Sequence, residues 1–297
     1  MKSGFLVIDK EAGFTSHDVV AVARKALGER RVGHAGTLDP FATGVLVLGV
    51  GNGTRLLQYI TDGRKRYQAT IRLGAATTTD DLTGEVINSN LPGIPELAEV
   101  SDQMIRQALA TQVGEIYQRP STYSAIKVDG KRAYELARAG KDVQLRERRV
   151  SVYSIDVHEI VHSAAHIDVQ VSVECSAGTY IRSIARDLGD ALAVGGHLIS
   201  LRRTLVSPFS LEDAISIEQL KTSPKILMID DVIARLFHRR DLNPAEVASV
   251  SHGRSIDLLG ESSGKSAGFT PDGRFIALLA EKSGRAQPIL VISRIEP

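Results

Sequence analysis

Residues 33–44 read Gly33-His34-Ala35-Gly36-Thr37-Leu38-Asp39-Pro40-Phe41-Ala42-Thr43-Gly44 and run directly into Val45-Leu46-Val47-Leu48. Three glycines in twelve residues mark a segment that turns sharply, because glycine visits positive φ at little cost. Pro40 fixes its own φ and biases Asp39 toward an extended backbone. The apolar run that follows has the length and composition of a buried strand. A carboxylate is therefore held on a stiffened part of a permissive loop, at the edge of a core strand. Two readings are open for it: a catalytic group, or an ordinary turn in which the Asp side chain caps its own backbone.

The rest of the chain supplies elements that surround such a loop. Gly4–Ile8 reads as a strand. Ser16 can cap a helix to Leu27 stopped by Gly28, and Thr54 one to Thr61 stopped by Gly63. Gln68–Leu73 partly alternates apolar and polar residues, as a half-buried strand does. Ser101 can cap a helix to Thr111. Tyr123–Val128 reads as a strand, with Asp129-Gly130 as a turn and Lys131–Ala139 as a helix. Arg149–Val161 and His166–Cys175 are rich in Val and Ile and fit paired strands. Gly178–Leu192 reads as a helix, His197–Val206 as a strand, and Ser210–Lys221 as another helix. Strands joined by both hairpins and helices, without regular βαβ alternation, argue for an α+β fold with a mainly antiparallel mixed sheet and flanking helices. Beyond Asn243, short apolar runs alternate with Gly, Ser and Asp turns. They predict a small β-rich C-terminal domain, near the size where a lone core is marginal, packed on the larger one. The expected division is 1–240 and 241–297.

Composition narrows the function class. A single cysteine, Cys175, rules out a disulfide within the chain and suits a reducing cytoplasm. It also leaves no cysteine cluster for a structural zinc. No run of 18 apolar residues occurs, so no membrane span is expected. Net charge is only +1, but residues 119–150 hold nine Lys/Arg against four Asp/Glu. That patch is either a phosphate-binding surface or a solvated helix face. Gly49-Val50-Gly51-Asn52-Gly53-Thr54 lacks the last glycine of a dinucleotide fingerprint, and Gly260–Ser266 is one residue short of a Walker A loop. His34, Asp39, Asp80 and Asp81 match no standard metal-ligand spacing. No cofactor and no metal are expected.

The segment from Gly33 to Leu46 resembles the central motif of the TruB family, the tRNA pseudouridine-55 synthases. Lys65-Arg66-Tyr67 is similar to that family's second motif. Thr77, Thr79, Asp81 and Gly84 match its next polar loop. Ser124–Tyr134 resembles the start of an RNA-gripping insertion, placed here at about 120–150. Cys175–Ser183 resembles the third motif, and Leu201-Arg202-Arg203 a later one. The motifs stand in order across roughly residues 5–210, and the tail is compatible with a PUA-like domain. The resemblance implies the pseudouridine synthase fold and a uridine in the T loop of tRNA as substrate. It implies isomerisation by base flipping and an Asp39-dependent break and re-formation of the glycosidic link. Asp39 is then the catalytic carboxylate, with Arg182 beside it lowering its pKa. Tyr67 would stack on the flipped uracil, Tyr180 and Leu201 would wall the pocket, and His34 would enter the space the base leaves. Lys65, Arg66, Lys127, Lys131, Arg132, Arg146, Arg148 and Arg149 would contact RNA phosphates. A monomer working on tRNA in the cytoplasm is expected. A non-catalytic RNA-binding module is the alternative from a different class. A carboxylate-dependent hydrolase is a weaker one, since no paired acid stands at a clear spacing.

Overall fold

The computed structural model describes residues 3–87, 97–124, 126–128, 130–133, 136, 145–258 and 264–292. Strand β1 (Gly4–Lys10) leads through helix α1 (Ser16–Leu27) to β2 (Val32–His34) and β3 (Thr43–Val50). Helix α2 (Leu57–Thr61) precedes β4 (Lys65–Leu73) and a small hairpin, β5 (Ala76–Thr77) with β6 (Val86–Ile87). Then come helix α3 (Asp102–Ala110), β7 (Gly114–Gln118) and a second small hairpin, β8 (Lys127–Val128) with β9 (Lys131–Arg132). The long strands β10 (Arg148–His162) and β11 (Ile167–Cys175) are followed by α4 (Ile181–Ala191) and β12 (Gly196–Val206). Short strands β13 (Phe209–Ser210) and β14 (Ile215–Ser216) and helices α5 (Ile217–Thr222) and α6 (Ile229–Leu236) complete this part.

The main sheet runs β14-β1-β3-β12-β4-β11-β10-β7. Its pairs are antiparallel except β1 with β14 and β12 with β3. This is the mixed, mainly antiparallel α+β sheet expected. The strand latest in sequence among the central four, β12, lies between β3 and β4, so two early strands are bridged by a late one. On β4 every second residue is buried, from Lys65 through Tyr67 and Ala69 to Leu73. Strand alternation therefore turns Lys65 and Tyr67 to one face. Arg203 and Leu201 of β12 pair with Tyr67 and Ala69.

Four helix starts differ from expectation. Thr15, not Ser16, caps α1. Its side chain accepts from the Asp18 amide, and Asp18 reaches back to Thr15 in a capping box. Ser16 points inward instead. Thr54 caps nothing: it lies within a 3-10 turn (Gly51–Leu56), and its hydroxyl donates to the Gly51 carbonyl. The expected helix from Ser210 to Lys221 is three pieces. Ser210 caps only a 3-10 turn, Leu211–Asp213, because Ile215 and Ser216 are drawn into the sheet beside Ile8 and Asp9. Ser216 then caps α5. Helix α4 starts at Ile181, since Gly178 is in a left-handed turn at φ 83°. The expected helix at 131–139 falls largely outside the described residues. Of the expected strand 123–128, only Lys127 and Val128 are paired among the described residues.

The second sheet contains β15 (His238–Asp241), β16 (Ile256–Asp257), β17 (Lys265–Phe269), β18 (Phe275–Lys282) and β19 (Arg285–Val291). Helix α7 (Pro244–Ser251) packs on it, and the strand order is β15-β17-β18-β19-β16. Its strand β15 begins before residue 241. Phe269, Phe275 and Leu278 share one apolar cluster with Phe5, Val7 and Phe209 of the main part. The Phe275 amide donates to Asp230, and Arg55 donates to the Val291 carbonyl. No helix among the described residues is long and apolar enough to cross a membrane.

Candidate active site

The loop between β2 and β3 is tied down on every side. Ser16 both donates to the Leu38 carbonyl (3.2 Å) and accepts from the Leu38 amide (2.9 Å). The Lys10 ammonium, fully buried, donates to the carbonyls of Glu11, Phe14 and Pro40 at 2.8–3.2 Å. Burial lowers its pKa to about 8. The Gly13 amide also donates to Pro40. Arg203, 1% exposed, donates to the carbonyls of Val45, Thr37 and Gly36. Gly44 allows that approach: its φ is +101°, and a Cβ there would lie 2.1 Å from the Arg203 carbonyl oxygen.

Held this way, Asp39 does not cap its own turn. Its carboxylate meets the guanidinium of Arg182 side-on, Nε to Oδ2 at 3.0 Å and Nη2 to Oδ1 at 3.3 Å. Arg182 is not a surface helix charge. Its side chain is 5% exposed, and it also donates to Thr79 O, Ser121 Oγ and Tyr123 O. On its far side stands Asp81, 3.4 Å from Nη1 and itself bound by Thr79 and Thr83. One helical turn on, Arg186 meets Asp80 at 3.4 Å; Asp80 has a left-handed φ of 59°. The acids that might have formed a metal site are thus each turned toward an arginine.

The net effect on Asp39 reverses the expected pKa shift. Burial raises it, and Asp81 adds to this. Arg182, then Arg203 and Lys10, pull it down without overcoming the burial.

The Asp39–Arg182 pair lines a cavity of about 250 Å³, together with Lys65, Tyr67, Tyr180, Leu201 and Arg203. Four of the expected pocket residues, Tyr67, Tyr180, Arg182 and Leu201, therefore meet around Asp39. Tyr67 is 7% exposed, and burial raises its pKa while the neighbouring Arg203 opposes the rise. Tyr180 precedes α4. The side-chain amide of Gln118 holds it from both sides, accepting from its N–H at 3.0 Å and donating to its carbonyl at 3.2 Å.

His34 is not among the cavity's lining residues. It ends β2 with its ring edge-on to His17, centroids 5.4 Å apart. His17 lines a second cavity of about 360 Å³ that shares Asp39 and Arg182 with the first. Lys65 departs from the picture of a surface phosphate contact: it is 6% exposed, and its ammonium donates to the carbonyls of Thr61 (2.6 Å) and Gly63 (2.8 Å). Arg66 is exposed and pairs with Glu174, as Arg64 does. Arg146, Arg148 and Arg149 are exposed where β10 begins. Arg149 pairs with Glu115; burial raises the Tyr180 pKa, and Arg148 is the charge that most opposes the rise. Lys127, Lys131 and Arg132 have their backbones in the β8–β9 hairpin; their side chains lie outside the described residues. Lys10, Gln118 and Asp81 were given no site role from sequence. Only the polar spacing around Asp81 offered a signal.

Residues 24–181 match the family profile described as TruB family pseudouridylate synthase (N terminal domain). Residues 182–248 match tRNA pseudouridylate synthase B C-terminal domain, and 237–293 match tRNA Pseudouridine synthase II, C terminal. The chain is 47% identical over 293 residues to tRNA pseudouridine synthase B of Corynebacterium jeikeium, covering 98% of this chain and 94% of that protein. It is 50% identical over 292 residues to the protein of that name from Rhodococcus jostii, with the same coverages. Among solved structures it resembles a Cbf5-Nop10-Gar1 complex (TM-score 0.71, 28% identity, 98% of this chain and 85% of that one). An H/ACA RNP bound to a substrate RNA containing 2′-deoxyuridine is similar too (TM-score 0.70, 25% identity, 98% and 86%). By its sequence, its sheet and the carboxylate its loop presents, the chain belongs to the TruB family of pseudouridylate synthases.

Proposed function

We propose that this protein converts uridine 55 in the T loop of tRNA to pseudouridine. The observation that carries this reading is the Asp39 carboxylate, fixed side-on by Arg182 at a cavity walled by Tyr67, Tyr180 and Leu201. The enzyme must extrude the base from a folded loop to reach it. Tyr67 then stacks on the uracil, which is worth roughly 1–3 kcal/mol. Tyr180 and Leu201 close the sides, and His34 enters the space that the base leaves. Asp39 acts as the ionised carboxylate that receives the sugar or the base while the N–C bond breaks and the ring turns. The exposed arginines Arg66, Arg146, Arg148 and Arg149 meet phosphates, with the hairpin that carries Lys127, Lys131 and Arg132 beside them. Residues 1–240 carry the chemistry under this reading, and 241–297 form a PUA-like accessory unit.

The test uses an unmodified tRNA transcript tritiated at C5 of uridine, because rejoining the base through C5 releases that hydrogen. The intact protein is expected to release tritium, and Asp39→Asn to release none while still binding the transcript. A transcript with cytidine at position 55 should release none from either. No release by the intact protein from a folded, bound transcript would leave an RNA-binding module instead.

A further inference from the structure

Lys65 and Arg203 line the cavity and Lys10 is bonded to the Pro40 carbonyl of the carboxylate loop, each without a carboxylate of its own. Lys10, Lys65 and Arg203 are at most 6% exposed, and among the described residues none stands within 4 Å of an acid. Each is bonded to main-chain carbonyls instead. Burying a charge without an opposite partner is costly. A chain that needed only hydrogen bonds at these positions could supply them with neutral groups. Lys10 has all three protons on carbonyls. Lys65 does not: two protons go to Thr61 and Gly63, and the third has no acceptor among the described residues. Lys65 and Arg203 both line the cavity, on the same side of Tyr67's sheet face. The cavity therefore presents Lys65, Arg182 and Arg203 against Asp39, with Asp81 behind Arg182. Its balance favours an anion in addition to the carboxylate it already holds.

We propose that Lys65, backed by Arg203, stabilises the negative charge that the uracil carries while it is detached from its original bond. The inference rests on the function proposed above. When the C1′–N1 bond breaks, its electron pair stays with the ring and spreads over N1, O2 and O4. Asp39 meets the electron deficiency left at C1′. When C5 then bonds to C1′, C5 loses its proton and N1 gains one, so no oxidant or reductant enters. Attack of Asp39 at C6 would instead place the charge on C5 and O4 as an enolate. A fixed ammonium in a water-poor site is worth most where such charge develops. Burial and the nearby Arg203 lower the Lys65 pKa to about 8, so it remains charged at neutral pH.

The test compares Lys65→Met and Lys65→Gln with the intact enzyme in single turnover on tritiated tRNA. The Gln variant keeps N–H donors for Thr61 and Gly63 but no charge. Both are expected to bind tRNA normally and to release tritium about 100-fold more slowly, the loss typical of one charge-stabilising donor. The decisive readout is a transcript with 5-fluorouridine at the target position, followed by loss of that nucleoside on digestion. Fluorine makes the ring a better anion, so the defect should be distinctly smaller there. An equal defect on both substrates, full activity of Lys65→Gln, or a loss explained by weaker tRNA binding would each overturn the proposal. Inactivity of the intact enzyme would instead remove the function on which it rests.

Discussion

Asp39 lives under opposed influences. Burial and Asp81 favour its protonated form, while Arg182, Arg203 and Lys10 favour the carboxylate. Because the folded pKa lies above that of an ordinary aspartate, activity that needs the carboxylate is lost on acidification at a higher pH than an exposed Asp would show. The acid limb of kcat/KM is expected at higher pH than an ordinary aspartate would set, for that reason. Asp81→Asn removes a like charge and should shift the limb to lower pH, while kcat falls because Arg182 is less firmly held. A pH–rate profile of the variant with an unmoved or raised limb would contradict this ordering. At this scale the sequence was informative about identities and about one partner, Arg182 for Asp39, and silent about the others. The resemblance to the TruB family named Asp39, Tyr67, Tyr180, Arg182 and Leu201, all of which reach one cavity. It could not show that Lys65 turns inward, since a Lys-Arg-Tyr run looks like surface charge until strand alternation assigns each residue a face. Nor could it weigh burial against Arg182, so the direction of the Asp39 shift came out opposite to expectation.

The elements that matter most to the loop are those that end against it. Helix α1 begins with two adjacent hydroxyls, Thr15 and Ser16. The first caps the helix, and the second exchanges two hydrogen bonds with Leu38. Ser16→Ala leaves the buried Leu38 amide without its partner, a loss of roughly 1–3 kcal/mol. Stability by urea denaturation should fall by about that amount, and single-turnover tritium release should fall further than tRNA binding does. Equal losses in binding and turnover would show that Ser16 supports the fold alone. Which of two neighbouring hydroxyls caps a helix is decided by tertiary contact, and Ser16 has one 22 residues away. The same limit explains Ser210. Its capping potential was read correctly, but pairing of Ile215 with Ile8 ended the helix after one turn.

Across the whole molecule, the two sheets share an apolar cluster that includes Phe5, Val7 and Phe209 from one and Phe269, Phe275 and Leu278 from the other. Calorimetry should therefore show one unfolding transition. Phe269→Ala, which opens a hole in that cluster, should cost about 3–5 kcal/mol and lower that transition as a unit. Two separated transitions would mean the sheets are independent. The need for such packing was visible in the shortness of the C-terminal unit; the residues that meet were not, because Phe5 and Val7 lie more than 200 positions, and Phe209 roughly 60, from their partners. The sheet order has a consequence for biosynthesis. Strand β12 fills the slot between β3 and β4, and it brings Arg203 to the loop and Leu201 to the cavity. Until the ribosome has released residues up to about 206, the slot stays vacant and the carboxylate loop lacks its Arg203 anchor. A nascent chain carrying every earlier motif is therefore expected to stay inert until β12 has been inserted.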